Sequence, residues 1–187
     1  MLAIGIDHSL TAFGIVAVPD SWGCDFSRVL RETLTTKPGQ PDAIRRAWLA
    51  RDVVRFVDHA AQEFRVPLSA VRVAIEGGIA MRGKLKTIRS QERLAAIVED
   101  RLFHELGLEL VVAAQASVRA TFMGRTMAGS RGAGAAAQAL LDQLIPRRAL
   151  WHEAELDAFL VANFLLAESG EAFVSVAPSE RRERVHR

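Results

Sequence analysis

Residues 2–18, LAIGIDHSLTAFGIVAV, decide how this chain is read. An apolar run from Leu2 to Ile6 ends on Asp7, a short turn carrying Ser9, Thr11 and Gly14 follows, and a second apolar run covers Ile15 to Val18. Two such runs around a turn of small and hydroxyl residues predict adjacent antiparallel strands. A carboxylate aimed out of a strand end beside that turn is well placed to hold a divalent metal, because hard cations take oxygen ligands. An isolated Asp there equally opens or caps the turn. The choice depends on whether other acidic residues arrive at the same place.

Working outward, Arg28 to Thr35 forms a weaker third strand, so the first part of the chain is a meander. TKPGQP, residues 36–41, breaks it, and Asp42 is placed to cap a long helix with Leu49, Val53, Phe56, Ala60 and Phe64 on one face. Arg45, Arg46, Arg51 and Arg55 of that helix are expected on its solvated side. After Pro67, Val71 to Ile75 reads as a buried strand that ends on a second acidic residue, Glu76, followed by Gly77 and Gly78. A basic loop leads to a helix from Ile88 to Leu106, then to an apolar strand from Leu108 to Ala113. Ala133 to Leu144 and His152 to Glu168 are expected helices on either side of Pro146. Three strands, then helix, strand, helix, strand and helix, is an order that gives a mixed sheet with helices on its faces.

Composition narrows the classes. With 187 residues, half of them hydrophobic, there is material for one sizeable core, read as a single domain over 1–170 with a basic, frayed tail over 171–187. Phe173 to Val176 is a candidate short strand within that tail. Lys plus Arg number 24 against 22 Asp plus Glu, a mildly basic balance that permits nucleic acid without requiring it. The lone Cys24 excludes an intrachain disulfide and any cysteine-cluster metal site, and fits a reducing compartment. No apolar stretch approaches the ~20 residues that span a bilayer, and no basic leader precedes an apolar segment, so the expected location is the cytoplasm.

A third acidic position lies on the last helix. Asp157 opens its apolar face and Glu153 stands four residues earlier, so both carboxylates share one side, with Glu155 on the other and expected in solvent. Like charges at this spacing cost ~0.2 to 0.5 kcal/mol even when exposed. A cation between them removes the cost; the alternative is that Glu153 answers the positive end of the helix dipole.

With Asp7 in IGIDHSLTAFGIVAV, Glu76 in VAIEGG and Asp157 in ELDAFLVANFLL, the chain resembles the RuvC-type Holliday-junction resolvases of the RNase H-like superfamily. RSQERLAAIV (Arg89 to Val98) and SVRATFMG (Ser117 to Gly124) add to the likeness, which covers most of Met1 to Ala167. Each motif is weak alone, since an Asp-bearing hairpin also opens sugar kinases and actins; their order and spacing are specific. The kinase reading requires a second lobe for which 187 residues leave no room.

The resemblance implies an α/β fold with a five-stranded mixed sheet flanked by helices, a homodimer, and cleavage of branched DNA at two symmetry-related strands. It implies two Mg²⁺ or Mn²⁺ ions per active site and no organic cofactor. Asp7, Glu76 and Asp157 match the family's acidic positions. The remaining ligand normally lies three residues before the final Asp, where this chain has Ala154; the neighbouring Glu153 is assigned the role, with His152 as the fallback. His8 stands where the family commonly has proline and is read as a turn variation. On this pattern Asp7 bridges both ions, Glu76 holds the one that activates water, and Glu153 and Asp157 hold the one near the leaving group. Two such cations serve phosphodiester hydrolysis by activating water and neutralising charge on the phosphorane and the leaving oxygen.

DNA contacts are expected from Arg82, Lys84, Lys86, Arg89 and Arg93 after the second acidic strand, and from Arg119, Arg125 and Arg131 around MGRTMAGSRGAG. That glycine-rich stretch lacks the Gly-Lys-Ser/Thr ending of a phosphate-cradling loop. Any of these arginines is also an ordinary surface residue. Met81 and Phe122 are candidates for wedging between bases or for packing in their own domain. Arg181, Arg182, Arg184 and Arg187 are either a DNA-gathering arm or a solubilising tail. Leu94, Ile97, Val98, Leu102 and Leu106 exceed what a thin core needs, which puts the dimer contact on their helix. Two further readings stay open: an RNase H-like nuclease for flaps, forks or structured RNA, and a binding protein that keeps the fold without cleavage.

Overall fold

The computed structural model describes residues 1–8, 10, 12–22, 25–37, 39–77, 85–123, 139, 141–142, 145 and 150–170. Within them, β1 (Leu2–Asp7), β2 (Phe13–Pro19) and β3 (Leu30–Leu34) form the meander, followed by α1 (Asp42–Glu63), β4 (Val71–Gly77), α2 (Leu85–Leu106), β5 (Leu110–Ala114), α3 (Gln115–Met123) and α4 (Glu153–Glu168). The five strands make one mixed sheet in the order β3-β2-β1-β4-β5. β1 pairs antiparallel with β2, and β2 with β3, whereas β4 lies parallel to both β1 and β5. The expected α/β architecture is therefore present, with the first and fourth strands side by side.

Alternation along β1 divides the protein into two cores, because successive strand residues face opposite sides. Leu2, Ile4 and Ile6 enter the layer built with Leu49, Val53 and Phe56 of α1 and Leu94, Val98 and Leu102 of α2. Ala3 lies in the other layer, with Val16, Ala74 and the α4 residues Ala158, Val161 and Ala162. Each large apolar side chain removed from water contributes about 1.5 to 3 kcal/mol, so both faces of the sheet are anchored.

The α4 layer needs small residues on the strands. A Cβ added at Gly5 would stand 2.0 Å from the Ala158 carbonyl oxygen and 2.4 Å from the Ala162 nitrogen, so the helix backbone rests on the sheet itself. α4 lies mainly across β1 and β2 and reaches β4 and β3 at its flanks.

Several expectations change. Asp42 is the first residue of α1 and Pro41 stands at the cap without a side-chain bond; Asp42 instead pairs with Arg45 at 3.4 Å. Arg45 and Arg46 are half-buried: Arg45 donates to Thr36 Oγ1 at 2.6 Å and to the Leu10 carbonyl, and Arg46 reaches Ser90 Oγ at 3.3 Å. Their guanidinium groups fasten the hairpin turn and α2 to α1. Leu94, Val98 and Leu102 are all 0% exposed and pack in the first core, so they are no surplus for a dimer contact. Phe122 is also buried, at 3% exposure, which leaves it no access to bases. α2 begins at Leu85, three residues before the expected start at Ile88, and β5 runs over Leu110–Ala114. No helix among the described residues is long and apolar enough to cross a membrane. Met81, Cys24, most of the helix expected over 133–144 and the tail 171–187 lie outside the described residues.

Candidate active site

Asp7 is the last residue of β1 and Glu76 the penultimate residue of β4. The parallel register pairs Ile6 with Ile75, so the next step along both strands sets Asp7 beside Glu76. Ala3 and Ala74 lie in the core under α4, and period two carries Asp7 and Glu76 to that same face. α4 brings Asp157 and Glu153 to it: Asp7 and the first turn of the helix meet over Gly14, the β2 partner of Asp7, whose Cβ would clash with the Ala154 backbone at 2.0 Å.

The electrostatics record how near these groups come. Burial first, then the charges of Asp157, Glu76 and Glu153, push the Asp7 carboxyl from 3.8 up to about 8. Glu76 is raised by burial and by Asp157, against the pull of a Gln115 hydrogen bond and of the Arg119 charge, both of which favour its ionised form. Asp7, Glu76 and Asp157 are half-buried, while Glu153 is exposed at the edge. As they stand, the described carboxylates do not close as a group of three around one centre. They are within electrostatic reach of one another, and every donor is a carboxylate oxygen, the set that suits Mg²⁺ or Mn²⁺ and excludes softer metals.

His152 has another task. It caps α4: its Nδ1 accepts from the Ala154 N–H at 3.2 Å, while its own N–H donates to the Glu155 carboxylate at 3.1 Å. Glu155, expected in solvent, is buried at 6% exposure. It accepts from Thr33 Oγ1 at 2.9 Å and pairs with the Arg31 guanidinium on β3. His8 is buried with Nδ1 unpartnered, and burial alone lowers its imidazole to about 4. No carboxylate contributes to that shift.

Of the expected DNA contacts, Arg119 on α3 lies near enough to Glu76 to favour its charge, which places a cation at the carboxylate cluster. Arg89 and Arg93 are exposed on the first turns of α2, beside Gln91, whose Nε2 donates to the His8 carbonyl at 3.2 Å. That bond brings this turn of α2 to the Asp7 end of β1, with Arg89 and Arg93 on the side of the helix away from Gln91. Arg82, Lys84, Arg125, Arg131 and the Lys86 side chain lie outside the described residues. Nothing in the sequence pattern marks Gln115 except its position immediately after β5, the strand that pairs Ala113 with Glu76.

Strand order and strand direction are those of an RNase H-like fold. Within it, the architecture is that of RuvC: a solved structure of Thermus thermophilus RuvC matches with a TM-score of 0.64 and 19% identity, covering 92% of this chain and 99% of that one. T. thermophilus RuvC in complex with Holliday junction substrate matches with a TM-score of 0.63 and 18% identity, covering 92% of this chain and 98% of that one. At these identities the likeness establishes the fold. No protein-family model and no curated protein sequence matches.

Proposed function

We propose that this chain is a divalent-metal-dependent endonuclease that resolves four-way DNA junctions by paired symmetric cuts, working as a homodimer. The observation that carries the reading is the placement of Asp7 and Glu76 side by side at the ends of β1 and β4, under the helix that bears Glu153 and Asp157, on a sheet of RuvC type. The junction-bound T. thermophilus structure supports the choice of substrate.

Asp7, Glu76, Glu153 and Asp157 would hold two Mg²⁺ or Mn²⁺ ions. When bound, the ions supply water activated near neutral pH and positive charge for the phosphorane and leaving 3′ oxygens. The chain's own groups prepare that state. Asp7 keeps a proton near neutral pH while uncompensated and surrenders it when positive charge arrives. Gln115 and Arg119 hold Glu76 toward its ionised form. Arg119, Arg89 and the expected Arg82, Lys84, Lys86, Arg125 and Arg131 neutralise backbone phosphates, positioning the junction without reading its sequence.

Ala154 favours a second reading, a junction-binding protein that does not cut, because it removes the carboxylate usually present at that step of the helix. Incubating the full chain with four-way, forked, flapped and linear duplexes, in Mg²⁺, Mn²⁺ or chelator, separates the readings. Symmetric metal-dependent nicks in the four-way junction support resolution. Tight junction binding without nicks in either metal supports the second reading, and preferential cutting of flaps or forks moves the substrate assignment to another branched DNA.

A further inference from the structure

The end of α4 that carries Glu153 and Asp157 is held by groups that do not belong to the carboxylate cluster. Period two along β3 sends Arg31 and Thr33 toward α4, since their β2 partners Val16 and Gly14 face that layer. Both meet Glu155: Thr33 through its hydroxyl, Arg31 through an ion pair. The Arg31 guanidinium also donates to the Leu150 carbonyl at 3.0 Å and lies 4.6 Å from the centre of the Trp151 ring. Trp151 is itself wedged edge-on against Phe159, with ring centres 5.8 Å apart, and Phe26 closes the group. The chain entering α4 and the first turn of α4 are thus tied to β3 from two sides.

Helical geometry makes this tie relevant to the carboxylates. At about 100° per residue, Glu153 and Asp157 lie roughly 40° apart and both nearly opposite Glu155. Ala154 and Ala158 rest on the sheet between them, over Gly14 and Gly5. Glu155 therefore grips one flank of the helix, toward β3, while Glu153 and Asp157 emerge on the other, toward β4 and Glu76. With carboxylates roughly 6 Å from the helix axis, a turn of about 20° displaces their oxygens by about 2 Å, as much as a whole Mg²⁺–oxygen bond of about 2.0 to 2.1 Å.

We propose that Arg31 and Glu155 are positioning residues for the candidate metal site: their half-buried pair sets the rotation of α4 at which Glu153 and Asp157 face Asp7 and Glu76. The inference rests on the nuclease reading above and adds to it two residues that touch neither metal nor DNA. With Glu155 buried and Arg31 partly exposed, the pair is weak evidence of stabilisation, because desolvating the carboxylate offsets much of the attraction. What this pair contributes is orientation. Outer-shell groups of this kind change metal affinity by about 10- to 100-fold when removed.

The test is Mn²⁺ titration of the full chain by calorimetry, for the parent, Arg31→Gln, Glu155→Gln and Arg31→Lys. Glu155→Gln keeps one acceptor oxygen for the His152 N–H, while its NH2 group can donate to the Thr33 hydroxyl, so the hydrogen bonds survive the loss of charge and the variant serves if Arg31→Gln fails to fold. The expected result is at least about tenfold weaker Mn²⁺ binding in Arg31→Gln and Glu155→Gln, with unchanged circular dichroism and unchanged junction binding in chelator. Arg31→Lys, which keeps the charge at β3, is expected to recover most of the loss. Parental Mn²⁺ affinity in folded Glu155→Gln overturns the positioning role and leaves the nuclease reading intact. Absence of Mn²⁺ binding by the parent overturns both.

Discussion

Gly14 on β2 and Ala154 on α4 are in backbone contact: a methyl group at Gly14 would sit 2.0 Å from the Ala154 carbonyl oxygen and 2.2 Å from its carbon. Gly14 is also the antiparallel partner of Asp7. One hydrogen-for-methyl choice therefore sets the height of the last helix above the strand end that bears the first carboxylate. Without it Asp157 and Glu153 would stand farther from Asp7.

Gly14→Ala is expected to destabilise the protein by about 3 kcal/mol or more, the upper range for overpacking, because both clashing atoms are backbone and cannot rotate away. Urea unfolding of the two proteins at one pH in chelator checks this. A loss below about 1 kcal/mol would mean that α4 rides higher than described.

Stability of the metal-free chain is expected to fall with rising pH. Asp7 has its folded-state value raised to about 8 from 3.8, so between those values the folded chain holds a proton that the unfolded chain has released. Folding is then favoured at the acid end of the window and loses that advantage as pH rises toward 8. Between about pH 5 and pH 8 the parent should lose on the order of 3 kcal/mol more than Asp7→Asn, measured by denaturant unfolding in chelator. Equal losses in the two proteins would remove Asp7 from the crowded cluster.

Removing the Gln115 hydrogen bond leaves Glu76 with burial and Asp157 opposing its charge and only Arg119 favouring it. Gln115→Ala should therefore raise the proton affinity of Glu76 and shift the acid limb of the metal-dependent pH–rate profile to higher pH. Activity at acidic pH should drop by about tenfold and recover as pH rises. A uniform loss at every pH would assign Gln115 to folding instead.

Arg119 and Arg89 are expected to make phosphate contacts. Arg119→Gln and Arg89→Gln should each weaken junction binding and reduce the slope of log affinity against log salt by about one. Fluorescence anisotropy over a salt series reads both quantities. A parental slope in either variant would withdraw that residue from the DNA surface.

The strands and the positions of Asp7 and Glu76 were legible because they depend on local pattern: alternation marks a strand, and an acidic residue at its end stands out against an apolar run. Asp157 and Glu153 were legible as sharing a helix face. The opposite flank was misjudged, because helical spacing fixes the angle between Glu155 and Asp157 but not which neighbour lies against each. The partner of Glu155 is Arg31, 124 residues away, a distance no local pattern bridges. The same limit applies to α2, whose apolar stripe reads as a surface for a second subunit, whereas α1 packs against Leu94, Val98 and Leu102. The close contact of Gly5 and Gly14 with the α4 backbone is likewise invisible in the sequence, since small residues in a strand carry no sign of what approaches them.

The most direct test of convergence is anomalous diffraction from crystals of the full chain grown or soaked in Mn²⁺. Strong peaks are expected within coordination distance, roughly 2.0 to 2.3 Å, of carboxylate oxygens of Asp7, Glu76 and Asp157, with Glu153 completing the set. Occupied Mn²⁺ sites elsewhere, with these carboxylates pointing apart and bearing no ion, would contradict it.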